Sequence, residues 1–308
     1  MNLLADLPQR NYPADYLLAR LKGRQSLLIT NWAVYLAKPL PEEFSETAAW
    51  QRLLLELRWF YGQMDKKLRK TTVSLFFFFE LRTLILCLRY KAAGEVDKIG
   101  ELLALSLLPD LLRSIMQKEA DIGRVLDELA DYFSALSGQF ARLPSAFHQA
   151  GLRGTEQMLS RCYLEYIVTT GLHPAVKSFL QHHIDFRNIM GLAKSFRWET
   201  KTPPSFIMGG SIPLKRLKRS HSAGLFQRAL FSKEIHLARP VSGEELAVLE
   251  NSLLKALSRQ HQRQGRSPDP IDQIIDYLWR RYIETRNAGL LRHGTAISKN
   301  LLAAEFIQ

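Results

Sequence analysis

The chain has 308 residues, 46% of them hydrophobic and 23% charged, which excludes a disordered polypeptide and leaves length for two or three folded units or one repeated unit. A formal net charge of +12 gives a surface that seeks anionic partners, whether nucleic acid, lipid headgroups or an acidic protein. Two cysteines, Cys87 and Cys162, stand in apolar surroundings without metal-ligand spacing, so core thiols are expected rather than a disulfide frame or a zinc site.

In chain order, the opening MNLLADLPQR lacks a basic region followed by an apolar one, so no signal peptide is expected and the protein is placed in the cytoplasm. Helical periodicity covers Ala48–Phe60, and the basic run Lys66–Lys70 (KKLRK) then reads as a solvated helix face or loop. The most apolar stretch, Val73–Leu88, carries Glu80 and Arg82 near its centre. Each such charge costs ~2.5–3.5 kcal/mol at a bilayer midplane, so this stretch is expected as a buried helix, part of Leu75–Lys91, rather than a membrane span.

Further helices are expected over Arg124–Leu136, Thr155–Thr169 and Glu244–Gln262. His182 and His183 are adjacent, diverge by about 100° on a helix and cannot share an ion, so a surface or loop role is expected for them. Gly209-Gly210-Ser211 reads as a turn, and Lys215–Arg219 (KRLKR) as a second solvated basic run. The clearest helix starts at Ile271, with Ile274, Ile275, Leu278, Tyr282 and Ile283 on one face. Asp269 is its N-cap, Pro270 its first residue, Asp272 lies in its first turn, and Arg292, His293 and Gly294 mark its end. Loops are punctuated at Pro39–Pro41, Gly94, Gly171–Pro174, Pro203–Pro213 and Ser267–Pro270. Strand-like alternation is scarce, and the fold class is all-α.

A repeat organises the chain. Glu80-Leu-Arg82-Thr83, Asp185-Phe-Arg187-Asn188 and Glu284-Thr-Arg286-Asn287 each place an acid, an arginine two residues on, and Thr or Asn one further. Arg89, Lys194 and Arg292 follow about two turns later. The acids are 105 and then 99 residues apart, so three helical units of similar size are expected, over residues 1–98, 99–202 and 203–308. The bland reading is that each acid and arginine makes only helix-surface ion pairs.

No GxxxxGK[ST] loop, no GxGxxG after a strand and no GxSxG elbow occurs, so neither a catalytic residue, a metal nor a cofactor is expected.

These passages, taken in order, resemble the family of the V/A-type ATPase subunit called C in archaeal and bacterial complexes and d in vacuolar ones. Tyr16-Leu-Leu-Ala-Arg20-Leu21 with Leu27-Leu28 is similar to the family's opening helix. Asp185-Phe-Arg-Asn188-Ile189, after the helix of Tyr163 and Tyr166, is similar to its aspartate-to-asparagine motif. Phe206-Ile-Met-Gly-Gly210 resembles its glycine turn, and Glu284-Thr-Arg-Asn287 its last glutamate-arginine-asparagine helix. The likeness spans about Tyr12 to Gly294 and departs at Glu80 and Thr83, where the family has aspartate and asparagine.

The resemblance implies a pseudo-threefold funnel of three helical lobes. It also implies a non-catalytic adaptor between the proteolipid ring and the central-stalk subunits, in peripheral contact with the membrane-embedded sector at the cytoplasmic face. Arg82, Arg187, Asn188, Arg286 and Asn287 are then the candidate partner contacts, with no nucleic acid among the partners. The competing readings are a basic helical nucleic-acid-binding protein, using KKLRK and KRLKR on phosphates, and a helical enzyme of another type.

Overall fold

The computed structural model describes residues 2–8, 10–36, 46–118, 121–224, 246–294 and 298–307, and among them every regular element is helical. The all-α class is therefore what the chain adopts. Pro39–Pro41 and the first two residues of the expected Glu244–Gln262 helix lie outside the described residues. Two compact units form, one from Met1–Leu17 with Gln51–His173, the other from Leu18–Trp50 with Pro174–Gln308. Helices α1 (Ala14–Gln25) and α2 (Glu46–Gln63) each run from one unit's residues into the other's.

The first unit is built on α3 (Lys66–Ala92), with α4 (Val96–Leu105), α5 (Asp110–Gln117), α6 (Ile122–Ser134) and α7 (Leu143–Ile167). Helix α3 is long and apolar enough to cross a membrane by length and composition, yet Leu75, Phe76, Phe77, Leu84, Cys87 and Leu88 are completely buried in the unit's core. A helix apolar on all sides needs cover on all sides. Phe77 lies 4.9 Å from the Tyr163 ring and 6.0 Å from Phe133, while the Tyr163 hydroxyl donates to the Ser74 carbonyl at 2.7 Å. Both thiols are core groups as expected, with burial pushing Cys87 up to about 12 and Cys162 up to about 11.

Asp65 caps α3 by accepting the Leu68 N–H at 2.7 Å. The KKLRK run is only partly the solvated face expected of it. Lys66, Lys67 and Lys70 are exposed, but Arg69 is buried and donates to the carbonyls of Leu7, Pro8, Tyr61 and Gly62, tying down the N-terminal segment. Helix α7 breaks at Ala150–Gly151, where Gly151 takes φ +61°, a left-handed conformation that favours glycine.

The second unit contains α8 (Pro174–Arg197), α9 (Leu214–Ser222), α10 (Leu246–Gln264), α11 (Pro270–His293) and α12 (Lys299–Glu305). Its N-cap accounting on α11 follows the expectation, since Asp269 accepts the Ile271 N–H at 2.8 Å, Pro270 opens the helix and Gly294 closes it. One core cluster joins Ile189, Leu192, Phe206, Ile212, Leu217 and Leu253. Another packs Trp32, Ala49, Ala288, Leu291, Leu302 and Phe306.

His182 and His183 are not the surface or loop residues expected from their spacing. Both are buried on α8 and meet His261 of α10, with Phe179 and Trp279 around them; the His183 and His261 rings stack at 6.4 Å, and Trp279 stands 5.4 Å from His261. Aromatic packing on a long helix outweighs the polar label of imidazole. Desolvation, helped by His182, pushes His261 down to about 3, and desolvation, His261, Arg187 and His182 together hold His183 well below its ordinary value.

The consequence for stability has a definite sign. These imidazoles stay neutral when folded and take up protons once unfolded, so their stabilising contribution is complete above the unfolded pKa near ~6.5 and is lost as pH falls toward the folded values. Between pH ~7.5 and ~5.5 each should cost about 1.4 kcal/mol of unfolding free energy. Urea unfolding followed over that window checks this, with His261→Gln expected to flatten the decline; a pH-independent midpoint would contradict it.

Candidate functional site

The repeated motif occupies three long helices, α3, α8 and α11, and in each the acid sits well inside the helix. A helix interior uses its own N–H groups, so a buried carboxylate there must find donors on another segment or remain an expensive unpaired charge. Glu80 is completely buried, and accepts the Leu107 N–H and the Ser106 hydroxyl, both at 2.7 Å. Asp185, equally buried, accepts the Ile212 N–H at 3.1 Å, the Ser211 N–H at 3.0 Å and the Ser211 hydroxyl. The donors stand 26 and 27 residues beyond the acid in both cases, a Ser-Leu pair in one and a Ser-Ile pair in the other. Desolvation raises the Glu80 carboxyl above the usual carboxylate range, and its bonds from Leu107 and Ser106 counter that.

Glu284 makes the same kind of bond with a different segment. One carboxylate oxygen accepts the Ile29 N–H at 2.6 Å, from 255 residues upstream, and the other accepts from the Arg281 guanidinium at 2.8 Å. The acceptor that elsewhere holds a segment downstream of its own helix here holds the stretch that follows α1.

Three residues after the acid, on the same face of the helix, the asparagines act on backbone too. The Asn188 amide donates to the Ile207 carbonyl at 2.9 Å and accepts the Ile207 N–H at 2.8 Å. Asn287 does the same to Ile307, at 2.7 and 3.3 Å. A carboxamide carries one donor side and one acceptor side, so it pairs with both main-chain groups of one residue. Thr83 carries only a hydroxyl and makes no such pair among the described residues. Gly210 is required by the clasp itself, because a Cβ there would lie 2.2 Å from an Asp185 carboxylate oxygen. The glycine pair is the expected turn, and its reason is this close approach.

Two residues on from the acid, a helix has turned by about 200°, so the arginines leave the clasped face. Arg82 is exposed on α3 in the first unit. In the second unit Arg187 and Arg286 each lie within electrostatic range of the Tyr282 phenol, whose ring stacks 5.3 Å from Trp279, and Arg286 also lies within that range of Glu250 and Glu305. Arg286 is half-buried and donates to the Glu305 carbonyl at 3.2 Å. Arg187 retains accessible surface, yet desolvation lowers its guanidinium pKa, the combination that a group in a recess experiences. It forms no hydrogen bond or ion pair among the described residues. The cation beside Glu284 is Arg281, not Arg286. Of the later basic residues, Arg89 forms a bidentate pair with Glu156 at 2.7 Å.

The five candidate residues thus separate by face. Asn188 and Asn287, 2% and 0% exposed, are occupied with Ile207 and Ile307, while the arginines point away from the clasps. Tyr282, Ser106, Ser211, Ile29 and Ile307 were not singled out as site residues from the sequence. A Ser followed by Leu or Ile at a constant distance after Glu80 and Asp185 was the available signal for two of them.

The family model of the ATP synthase (C/AC39) subunit matches residues 27–296. The chain belongs to this family. No curated protein matches the chain. As a C/AC39 subunit of a V/A-type ATPase, it has other subunits of that complex as its partners, and the nucleic-acid-binding alternative gains no support from the match. The clasped face of a C/AC39 helix can be tested apart from its outward face. Asp185→Ala leaves the Ser211 and Ile212 donors without their acceptor and should cost about 2–3 kcal/mol in urea unfolding, whereas Arg187→Ala should stay within ~0.5 kcal/mol. Equal effects of the two substitutions would contradict the division of faces.

Proposed function

We propose that the chain is the non-catalytic adaptor of a rotary V/A-type ATPase, seated on the proteolipid ring at the cytoplasmic face of the membrane and gripping the foot of the central stalk, so that rotation is coupled to ATP-linked proton or sodium transport. Family membership supports the setting. The absence of a phosphate loop from the sequence supports a coupling role rather than a catalytic one.

In this reading the chain has three lobes, over residues 1–98, 99–202 and 203–308, a division supported by the acids of α3, α8 and α11 each holding a backbone N–H of another segment. Clasped helices suit a body that must turn without losing rotation to internal strain. Asn188 and Asn287 then set the position of the segments they hold, and the arginines carry the contact.

The observation that carries the stalk grip is Arg187. A permanently charged guanidinium, partly stripped of water and without an ion pair among the described residues, is an unfilled demand for an anionic group. Arg286, also within electrostatic range of Tyr282, adds a second guanidinium, though one already balanced in part by Glu250 and Glu305. Acidic side chains at the foot of a stalk would meet it.

Binding of reconstituted stalk subunits to the Arg187→Glu/Arg286→Glu chain tests the grip. A loss of about 2–5 kcal/mol in binding free energy is expected, with unchanged circular dichroism and intact attachment to the ring. Unaltered stalk affinity in the folded double variant would remove these arginines from the contact, and failure of the wild-type chain to bind either stalk or ring would remove the adaptor reading.

A further inference from the structure

The C-terminal end of α8 and the whole of α9 carry a concentration of basic residues. From Lys194 to Ser222 the sequence holds seven basic residues against Glu199 alone. The two helices meet there, with the Phe196 and His221 rings 5.9 Å apart. On α9, Leu217 and Ser220 turn into the core, while Lys215, Lys218, Arg219 and Ser222 are exposed at i, i+3, i+4 and i+7. The exposed residues therefore form one continuous cationic face.

Helix stability accounts for Arg219, in the last turn of α9, but not for Lys215. Lys215 lies in the first turn of α9, where the positive end of the macrodipole disfavours a cation, and that turn contains no acid and no side-chain cap. Lys194, Lys201, Lys215, Lys218 and Arg219 form no ion pair among the described residues. Immediately beyond α8 stands Trp198, 56% exposed, whereas the other four tryptophans are buried or half-buried. An exposed indole at the end of the helix that packs on α9, together with the cationic face of α9, matches the water–lipid boundary, where headgroup anions take the cations and the upper acyl region takes the ring. An acidic polypeptide would meet the cations through the same charges, and what the leaflet adds is an interfacial layer into which an indole partitions without a shaped pocket.

We infer that the α8 end and α9 form a docking surface for an anionic membrane leaflet. The contact is independent of the arginine grip on the stalk, because it uses other residues and needs no partner subunit.

Flotation of the purified chain with phosphatidylcholine–phosphatidylserine vesicles, against phosphatidylcholine alone, tests it. Binding is expected only with phosphatidylserine present and should fall steeply with salt. The Lys215→Gln/Lys218→Gln/Arg219→Gln variant should bind about 100-fold more weakly, and Trp198→Ala at least about fivefold more weakly. The Lys66→Gln/Lys67→Gln/Lys70→Gln variant, which loses the same charge from the other basic run, should bind within about twofold of wild type. Circular dichroism verifies the fold of each variant. No binding to the anionic vesicles, or equal weakening by the two triple variants, would overturn the inference. Binding to poly-glutamate as tight as to vesicles and indifferent to Trp198→Ala would assign the face to an acidic protein and overturn it as well.

Discussion

A carboxylate buried in the middle of a long helix is the constraint on which the rest of this structure depends. Its own helix has no main-chain N–H to spare, so it recruits that of another segment: Leu107 for Glu80, Ser211 and Ile212 for Asp185; the half-buried Glu284, already paired with Arg281 of its own helix, takes the Ile29 N–H as well. Each bond pins irregular chain to the face of a helix, where turn residues alone would leave it loose. Asparagines one turn later repeat the device by pairing with Ile207 and Ile307. The connections thereby gain a defined course without a sheet to guide them.

Legibility followed range. The helices of Ile271 and Leu75, the caps at Asp269, and the triple recurrence of acid, arginine and Thr or Asn all rest on neighbours within a turn or two, and each was readable. The partners of the acids lie 26 to 255 residues away, beyond any local pattern, which is why the acids could be read as surface ion pairs and their donors passed unnoticed. His182 and His183 misled for a related reason: imidazole is judged polar in sequence, but Phe179, His261 and Trp279 supply an aromatic environment that only the packing of α8 on α10 and α11 creates. Arg69 likewise reads as one cation of a basic run, whereas the carbonyls of Leu7 and Pro8 that bury it belong to a segment roughly sixty residues earlier.

The division of each motif helix into a clasped face and an outward face connects fold to role. Acid and asparagine share one side, and the arginine between them is carried to the other by helix geometry. In the second unit this puts Arg187 and Arg286 beside Tyr282 on a surface that retains access to solvent. The proposed adaptor role draws on both properties, stiffness within and accessible charge without. The basic surplus of the chain then divides among separate stretches, with seven of its cations between Lys194 and Ser222, from the α8 end through α9.

Native-state hydrogen exchange tests the central claim most directly, because the amides concerned lie outside the helices. If buried carboxylates and carboxamides hold these segments, the N–H groups of Leu107, Ile207, Ile212, Ile307 and Ile29 should exchange as slowly as those of the helices that clasp them, and Asp185→Ala should release Ile212 while sparing Leu107. Exchange of these amides at the rates of exposed loop residues in the wild-type chain would contradict the account.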